Sequence, residues 1–150
     1  MKRAITLLLL AAGCDFSQGE TATVPLEARG TTPASFVDGA FTITLHRAAV
    51  AFGPAYACAT RDEELCESAV LETLDAHPID ALDAGAQSLG ELRGTTGDVH
   101  TISYDLGLAF LLAAPSPQPL PGAVDGHSVV LEGTATDGVT PFDFVASVDI

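Results

Sequence analysis

Residues 40–52 read AFTITLHRAAVAF, and the alternation in this stretch decides the fold class. Its first half places apolar and polar residues in turn: Phe41, Ile43 and Leu45 alternate with Thr42, Thr44 and His46. A repeat of two residues puts one set on each face of a β-strand, so the stretch is predicted to be a half-buried strand. The Gly53-Pro54 pair that follows is predicted to end it.

Several further segments are typical of strands. Residues 127–136 and 140–150 flank Asp137-Gly138, a common turn pair, and are predicted to form a β-hairpin. In residues 98–106 the alternating set that contains His100 carries most of the apolar bulk, so this set is predicted to face inward. With shorter segments this gives about seven or eight strands and little helical periodicity. We expect an all-β protein in which residues 21–150 form a single antiparallel β-sandwich.

The first thirteen residues have the pattern of a bacterial lipoprotein signal peptide. Lys2 and Arg3 form a positive start, residues 4–10 are almost wholly apolar, and the small residues 11–13 precede Cys14. The apolar run is far shorter than the ~20 residues that a membrane-spanning helix needs. Plain secretion, with cleavage at the same bond, and an uncleaved segment remain as alternatives.

Residues 10–14, LAAGC, resemble the lipobox of bacterial lipoproteins, with Ala11 at a position where leucine is usual. The resemblance implies that Cys14 becomes the first residue of the mature chain and carries acyl chains in a membrane. Residues 14–20 are then a tether, and the domain faces the periplasm or the cell surface from the inner or the outer membrane. Several acyl chains anchor a protein firmly, whereas a single chain is marginal.

The charge of the chain restricts its partners. The net charge is −14, and loss of residues 1–13 removes Lys2 and Arg3 but none of the 20 acidic residues, which brings it to −16. Such a field repels phosphate backbones, so nucleic acid is excluded as a partner. Cationic partners and divalent ions remain compatible with this charge, and the identity of a protein or small-molecule partner stays open.

Two cysteines, Cys58 and Cys66, remain once Cys14 is assigned to lipid. In an oxidising compartment an even number of cysteines predicts a disulfide. The spacing of this pair is wider than that of a redox-active Cys-x-x-Cys pair, and a zinc site would need more ligands nearby. A structural disulfide around the polar segment 59–65 is therefore the favoured interpretation.

Several stretches together resemble one group of bacterial proteins. They are FTITLHRAAVAFGPAYAC at 41–58 with Cys66, IDAL at 79–82, GTTGDV at 94–99, YDLG at 104–107 and HSVVLEGTATDGVTPFDFVASVDI at 127–150. The group is a family of uncharacterised myxobacterial-type lipoproteins, similar to domains with prealbumin-like or immunoglobulin-like sandwiches. The resemblance covers most of residues 36–150 and carries no catalytic residue over to this chain. It also implies a natural chain that continues past Ile150; a strand that ends at the sheet edge is the alternative.

Histidines offer the main alternative to this interpretation. His46, His100 and His127 fall in or beside predicted strands, and neighbouring strands could bring them together to bind copper or zinc. No two of them have the close spacing that marks many metal sites, so three separate histidines are favoured. The acidic segment 75–83 lacks the D-x-D-x-D-G calcium pattern and is interpreted as turn and strand-edge residues.

The sequence contains no G-x-S-x-G, H-E-x-x-H or phosphate-binding glycine motif. We therefore predict a non-enzymatic protein without a cofactor. The leading hypothesis is a lipid-anchored module of the cell envelope that binds a ligand or has a structural role. The alternative hypothesis is a periplasmic metal-binding protein that uses the three histidines.

Overall fold

The computed structural model describes residues 19–61, 66, 68–109 and 116–150. These residues form twelve β-strands and no helix, which confirms the predicted all-β class. The strands are β1 (Thr21–Ala28), β2 (Ser35–Asp38), β3 (Phe41–Phe52), β4 (Ala55–Cys58), β5 (Ala69–Thr73), β6 (His77–Asp80), β7 (Gln87–Thr95), β8 (Thr101–Tyr104), β9 (Leu108–Ala109), β10 (Gln118–Pro119), β11 (Val129–Thr136) and β12 (Pro141–Val148).

The predicted signal peptide at 1–13, Cys14 and residues 15–18 of the predicted tether lie outside the described residues. Residues 108–113 are wholly apolar and are predicted to form a buried strand; of these residues, only β9 at 108–109 is described. Within the described ranges, no helix has the length and apolar character that a membrane crossing requires.

Two antiparallel sheets packed as a sandwich contain most of the strands. One has five strands in the order β1-β7-β5-β4-β8, and the other has the order β12-β11-β3-β2, with β6 also paired to β3. β9 and β10 form a separate two-stranded ribbon. The strands outnumber the predicted seven or eight because six of them have only two to four residues, too few to show a repeat of two.

The predicted hairpin at the end of the sequence is confirmed. β11 and β12 pair without a break from Val129 opposite Val148 to Thr136 opposite Pro141. In the turn, the Asp137 carboxylate accepts hydrogen bonds from the backbone N–H groups of Val139 and Thr140. These bonds favour the charged carboxylate and lower the pKa of Asp137. The carboxylate of Asp137 therefore stabilises the turn between β11 and β12, at the Asp137-Gly138 pair where the sequence predicts a turn.

Small side chains dominate the core between the strands. One cluster contains Ala55 and Ala57 with two leucines, Leu71 and Leu92. A second contains Ala51 with Val124 and Val130. Alanine leaves room for close approach of neighbouring backbones, and this approach recurs at the crossing described below.

The inward orientation predicted for His100 is wrong. His100 is exposed and precedes β8, while in β8 itself Ile102 is 65% exposed and Tyr104 54% exposed. The opposite set, Thr101 and Ser103, is the more buried one. β8 is an edge strand with a neighbour, β4, on one side only, so side chains of neighbouring strands flank Ile102 and Tyr104 on that side alone.

Candidate functional site: an acidic cleft beside β7

The chain crosses from one sheet to the other between β5 and β6. β5 pairs with β7 at only two positions, Leu71 with Gly94 and Glu72 with Arg93. Beyond Glu72 the strands part, because the chain goes on to β6, which pairs with β3 in the other sheet. A cleft of about 690 Å³ opens there. Its lining includes Glu72, Thr73, Asp75, His77, Glu91 and Arg93.

Close backbone contacts hold this crossing in place. A Cβ atom on Gly94 would overlap the carbonyl oxygen of Val70, and one on Gly122 would overlap the carbonyl oxygen of Ala76. Gly122 has a φ of 100°, a conformation that only glycine adopts readily. Ala76 is buried and follows Asp75 directly. The position of Asp75 in the cleft therefore depends on glycine at position 122.

The cleft carries more negative than positive charge. Nη2 of Arg93 lies 3.2 Å from Oε2 of Glu91, an ion pair at the surface that is held loosely. Glu72 lies opposite Arg93 in the register, yet among the described residues neither Glu72 nor Asp75 forms an ion pair. A concave surface with an excess of one charge concentrates counter-ions. The cleft therefore attracts cations.

The negative charge of the cleft also acts on the neighbouring strand. Burial raises the pKa of Tyr56 in β4, and the charges of Asp105 and Glu72 raise it further. Tyr56 faces Glu72 directly in the register of β4 and β5. The phenol group stays neutral over a wider pH range as a result, because burial disfavours its ionised form and because that form would add a like charge.

The structure does not bring the three candidate histidines together. His46 lies in β3, at the register shift opposite Glu132 and Gly133. His100 lies beside the other sheet, where its backbone N–H donates to the carbonyl of Cys58. His127 Nδ1 lies 2.8 Å from a carboxylate oxygen of Asp149. No group of three or more His, Cys, Asp or Glu side chains among the described residues could hold a metal ion.

Cys58 and Cys66 form a disulfide, as the sequence predicts. The two Cα atoms are 5.6 Å apart, and Cys58 is fully buried in β4. The Thr101 hydroxyl donates to the carbonyl of Thr60, two residues after Cys58, at 3.1 Å. The disulfide attaches Cys66 to β4, and this hydrogen bond attaches Thr60 to β8, the edge strand of the sheet.

Sequence reasoning missed the cleft and its histidine, His77. Glu72, Asp75 and His77 are close in sequence, but Glu91 and Arg93 come from another strand. Only the limited pairing of β5 with β7 brings these groups together. A usable signal was the spacing of Glu91 and Arg93, because two charged residues two positions apart lie on the same face of a strand.

The remaining acidic residues of segment 75–83 have turn roles, as predicted. The Asp80 carboxylate accepts from the N–H of Leu82 at 2.9 Å, and the Asp83 carboxylate accepts from the N–H of Gly85 at 2.8 Å. Such bonds from an aspartate to the backbone two residues on are typical of Asx turns. Of this segment, Asp75 and His77 are the titratable residues that line the cleft.

Comparisons with known proteins identify no family for this chain. No protein-family model and no solved structure matches it. Two curated proteins of Trypanosoma cruzi (strain CL Brener), methylthioribose-1-phosphate isomerase 1 and 2, are each 33% identical to it over 81 residues. The matched region covers 51% of this chain but only 22% of each isomerase. The chain is thus similar to a minor part of these two proteins.

Proposed function

We propose that this protein is a non-catalytic binding module of the cell envelope, which is held at a membrane by lipid on Cys14 and binds a cationic ligand. The observation that carries the ligand class is the cleft, in which Glu72 and Asp75 have no ion-pair partner among the described residues. A free carboxylate gains more from a cation than one that is already paired.

The proposed location rests on the sequence and on the disulfide. Residues 1–13 have the pattern of an export signal, and the lipobox-like residues 10–14 place Cys14 where lipid is attached. Disulfides persist in oxidising compartments outside the cytoplasm, which agrees with the bond between Cys58 and Cys66. A short tether at 14–20 would then place the folded domain next to the membrane.

The charge of the cleft argues against transfer of the isomerase activity to this chain. The two curated relatives are named for a phosphorylated sugar. An acidic cleft in a chain of net charge −14 repels a phosphate group. The alternative metal-binding role for His46, His100 and His127 gains no support either, because these side chains do not form a group.

Neutralising the two unpaired carboxylates tests the proposed ligand class. The probe is 1,4-diaminobutane, a small dication, and its affinity is measured by isothermal titration calorimetry at low ionic strength. The double variant Glu72→Gln, Asp75→Asn is expected to bind about tenfold more weakly, because two exposed charge pairs of modest strength are lost.

A matched double variant, Asp38→Asn with Asp98→Asn, controls for the change of net charge. Both residues are exposed and lie outside the cleft. We expect this variant to bind the diamine almost as the unchanged protein does. Equal losses in the two double variants, or no binding by the unchanged protein, would contradict a cation site in the cleft.

A further inference from the structure

The last strand, β12, is an unusual sheet edge. It has eight residues, pairs with β11 without a register shift, and contains one charged residue, Asp143, and one proline at its first position. The other edges of the two five-stranded sheets are blunted: β2, β6 and β8 have four residues each, and β1 has Pro25 and a register shift. Short strands, proline and irregular pairing are devices that prevent edge-to-edge association. β12 lacks them.

Apolar side chains on both faces of β12 are exposed. Phe142 is 52% exposed and Val148 44% exposed on one face, and Val145 is 74% exposed on the other. In the register with β11, Phe142 and Val148 lie on the same face as Phe144 and Ala146. The ring of Phe142 packs edge to face against Phe41 at 6.1 Å, which fixes the orientation of this apolar face.

We propose that β12 pairs with β12 of a second copy of this chain, in antiparallel orientation about a two-fold axis, and joins the two sheets edge to edge. In such a pair, residue i faces residue j of the second copy and j faces i. In an antiparallel pair, two facing residues either both direct their N–H and C=O groups toward the partner strand or both direct them away from it. Facing residues are therefore separated by an even number of positions along the strand.

The sequence of β12 complements itself when the axis passes through Val145. Val145 then faces its own copy, Phe144 faces Ala146, Phe142 faces Val148, and Asp143 faces Ser147. All apolar residues on the Phe142 face thus meet apolar partners. The carboxylate of Asp143 meets a hydroxyl that can donate a hydrogen bond to it.

Neighbouring registers fit less well. An axis through Asp143 would place two carboxylates face to face, and an axis through Ala146 would place Asp143 opposite Asp149. Like charges directly opposite each other destabilise a strand pair. An axis through Phe144 would place Val148 opposite Thr140, a polar residue that precedes the first residue of β12. Charge and apolar pairing therefore favour a second copy in the register centred on Val145.

The net charge of the chain gives this association a characteristic salt dependence. Two copies that each carry a net charge of −14 repel each other at low ionic strength. Salt screens this repulsion while leaving apolar contacts intact, so the dimer becomes stronger as salt rises. A cationic partner on the same edge would show the opposite dependence. Because one edge buries little area, the dimer is expected to be weak.

Sedimentation velocity of the 150-residue chain tests the proposal. Protein is measured from about 10 to 200 µM, a range suited to weak association, at about 0.05 and 0.5 M sodium chloride. We expect a dimer fraction that rises with protein and with salt. Val145→Lys places two ammonium groups opposite each other at the axis and should leave only monomer.

Two variants serve as controls, and both alter exposed valines. Val139→Lys adds the same charge in the turn before β12, outside the paired residues, and should leave the dimer unchanged. Val37→Lys places the charge on β2, the opposite edge of the sheet. The proposal is overturned if the unchanged chain stays monomeric at high salt, if Val145→Lys still dimerises, if salt dissolves the dimer, or if Val37→Lys removes it.

Discussion

Replacement of Gly122 by alanine is expected to lower the free energy of unfolding by about 3 kcal/mol. The new Cβ atom would overlap the carbonyl oxygen of Ala76, a buried residue of the crossing between β5 and β6. Backbone cannot move aside as a flexible side chain can. The φ of 100° at Gly122 is also unfavourable for any residue with a Cβ atom. Urea denaturation followed by circular dichroism measures the change.

Gly126 provides a matched control for the cost of the backbone conformation alone. Its φ is 86°, but a Cβ atom there would meet no atom within 4 Å. Gly126→Ala should therefore cost only about 1–2 kcal/mol, the conformational part of the effect. If the two variants lose the same stability, the close contact between Gly122 and Ala76 does not hold the crossing, and the position of Asp75 does not depend on it.

Removal of the disulfide is expected to cost roughly 2–3 kcal/mol of unfolding free energy. Cys58 and Cys66 are separated by 8 positions, so the bond closes a short ring that restricts the unfolded chain. The double variant Cys58→Ala, Cys66→Ala avoids an unpaired buried thiol, since Cys58 is fully buried. Its stability is compared with that of the unchanged protein in urea, each with and without a reductant.

The reductant distinguishes the bond from other effects of the two substitutions. It should destabilise the unchanged protein by nearly the full amount and should leave the double variant unaffected, because Cys14 is the only cysteine left in it. A reductant that lowers the stability of neither protein would contradict the stabilising role of the disulfide. One that lowers both would point to an effect unrelated to this bond.

Local patterns were sufficient for the parts of the fold that depend on neighbouring residues. The alternation in residues 41–45 gave β3, and Asp137-Gly138 gave the turn between β11 and β12, because strand faces and turns are set by side chains close in sequence. The cysteine pair was predictable for a similar reason, since the prediction of export leaves few alternatives for the two cysteines other than Cys14.

The cleft was not predictable from the sequence, because its position depends on where the pairing between β5 and β7 stops. Gly94 allows β5 to approach β7 closely, yet the pair of Glu72 with Arg93 is the last one before the two strands separate. Nothing in the local sequence of β5 shows that its continuation joins the other sheet. The prediction that His100 faces inward was wrong for a related reason. Alternation identifies the two faces of a strand, but the position of the strand in the sheet decides how far each face is covered.

Mass spectrometry of the intact protein, extracted from the membranes of the cells that produce it, tests whether the chain is anchored by lipid on Cys14. We predict a chain that begins at Cys14 and carries the added mass of acyl groups on that residue. Reduction should add two hydrogen atoms, one to each sulfur of Cys58 and Cys66. A protein that retains residues 1–13, or that begins at another residue without lipid, would contradict a lipid-anchored module of the cell envelope.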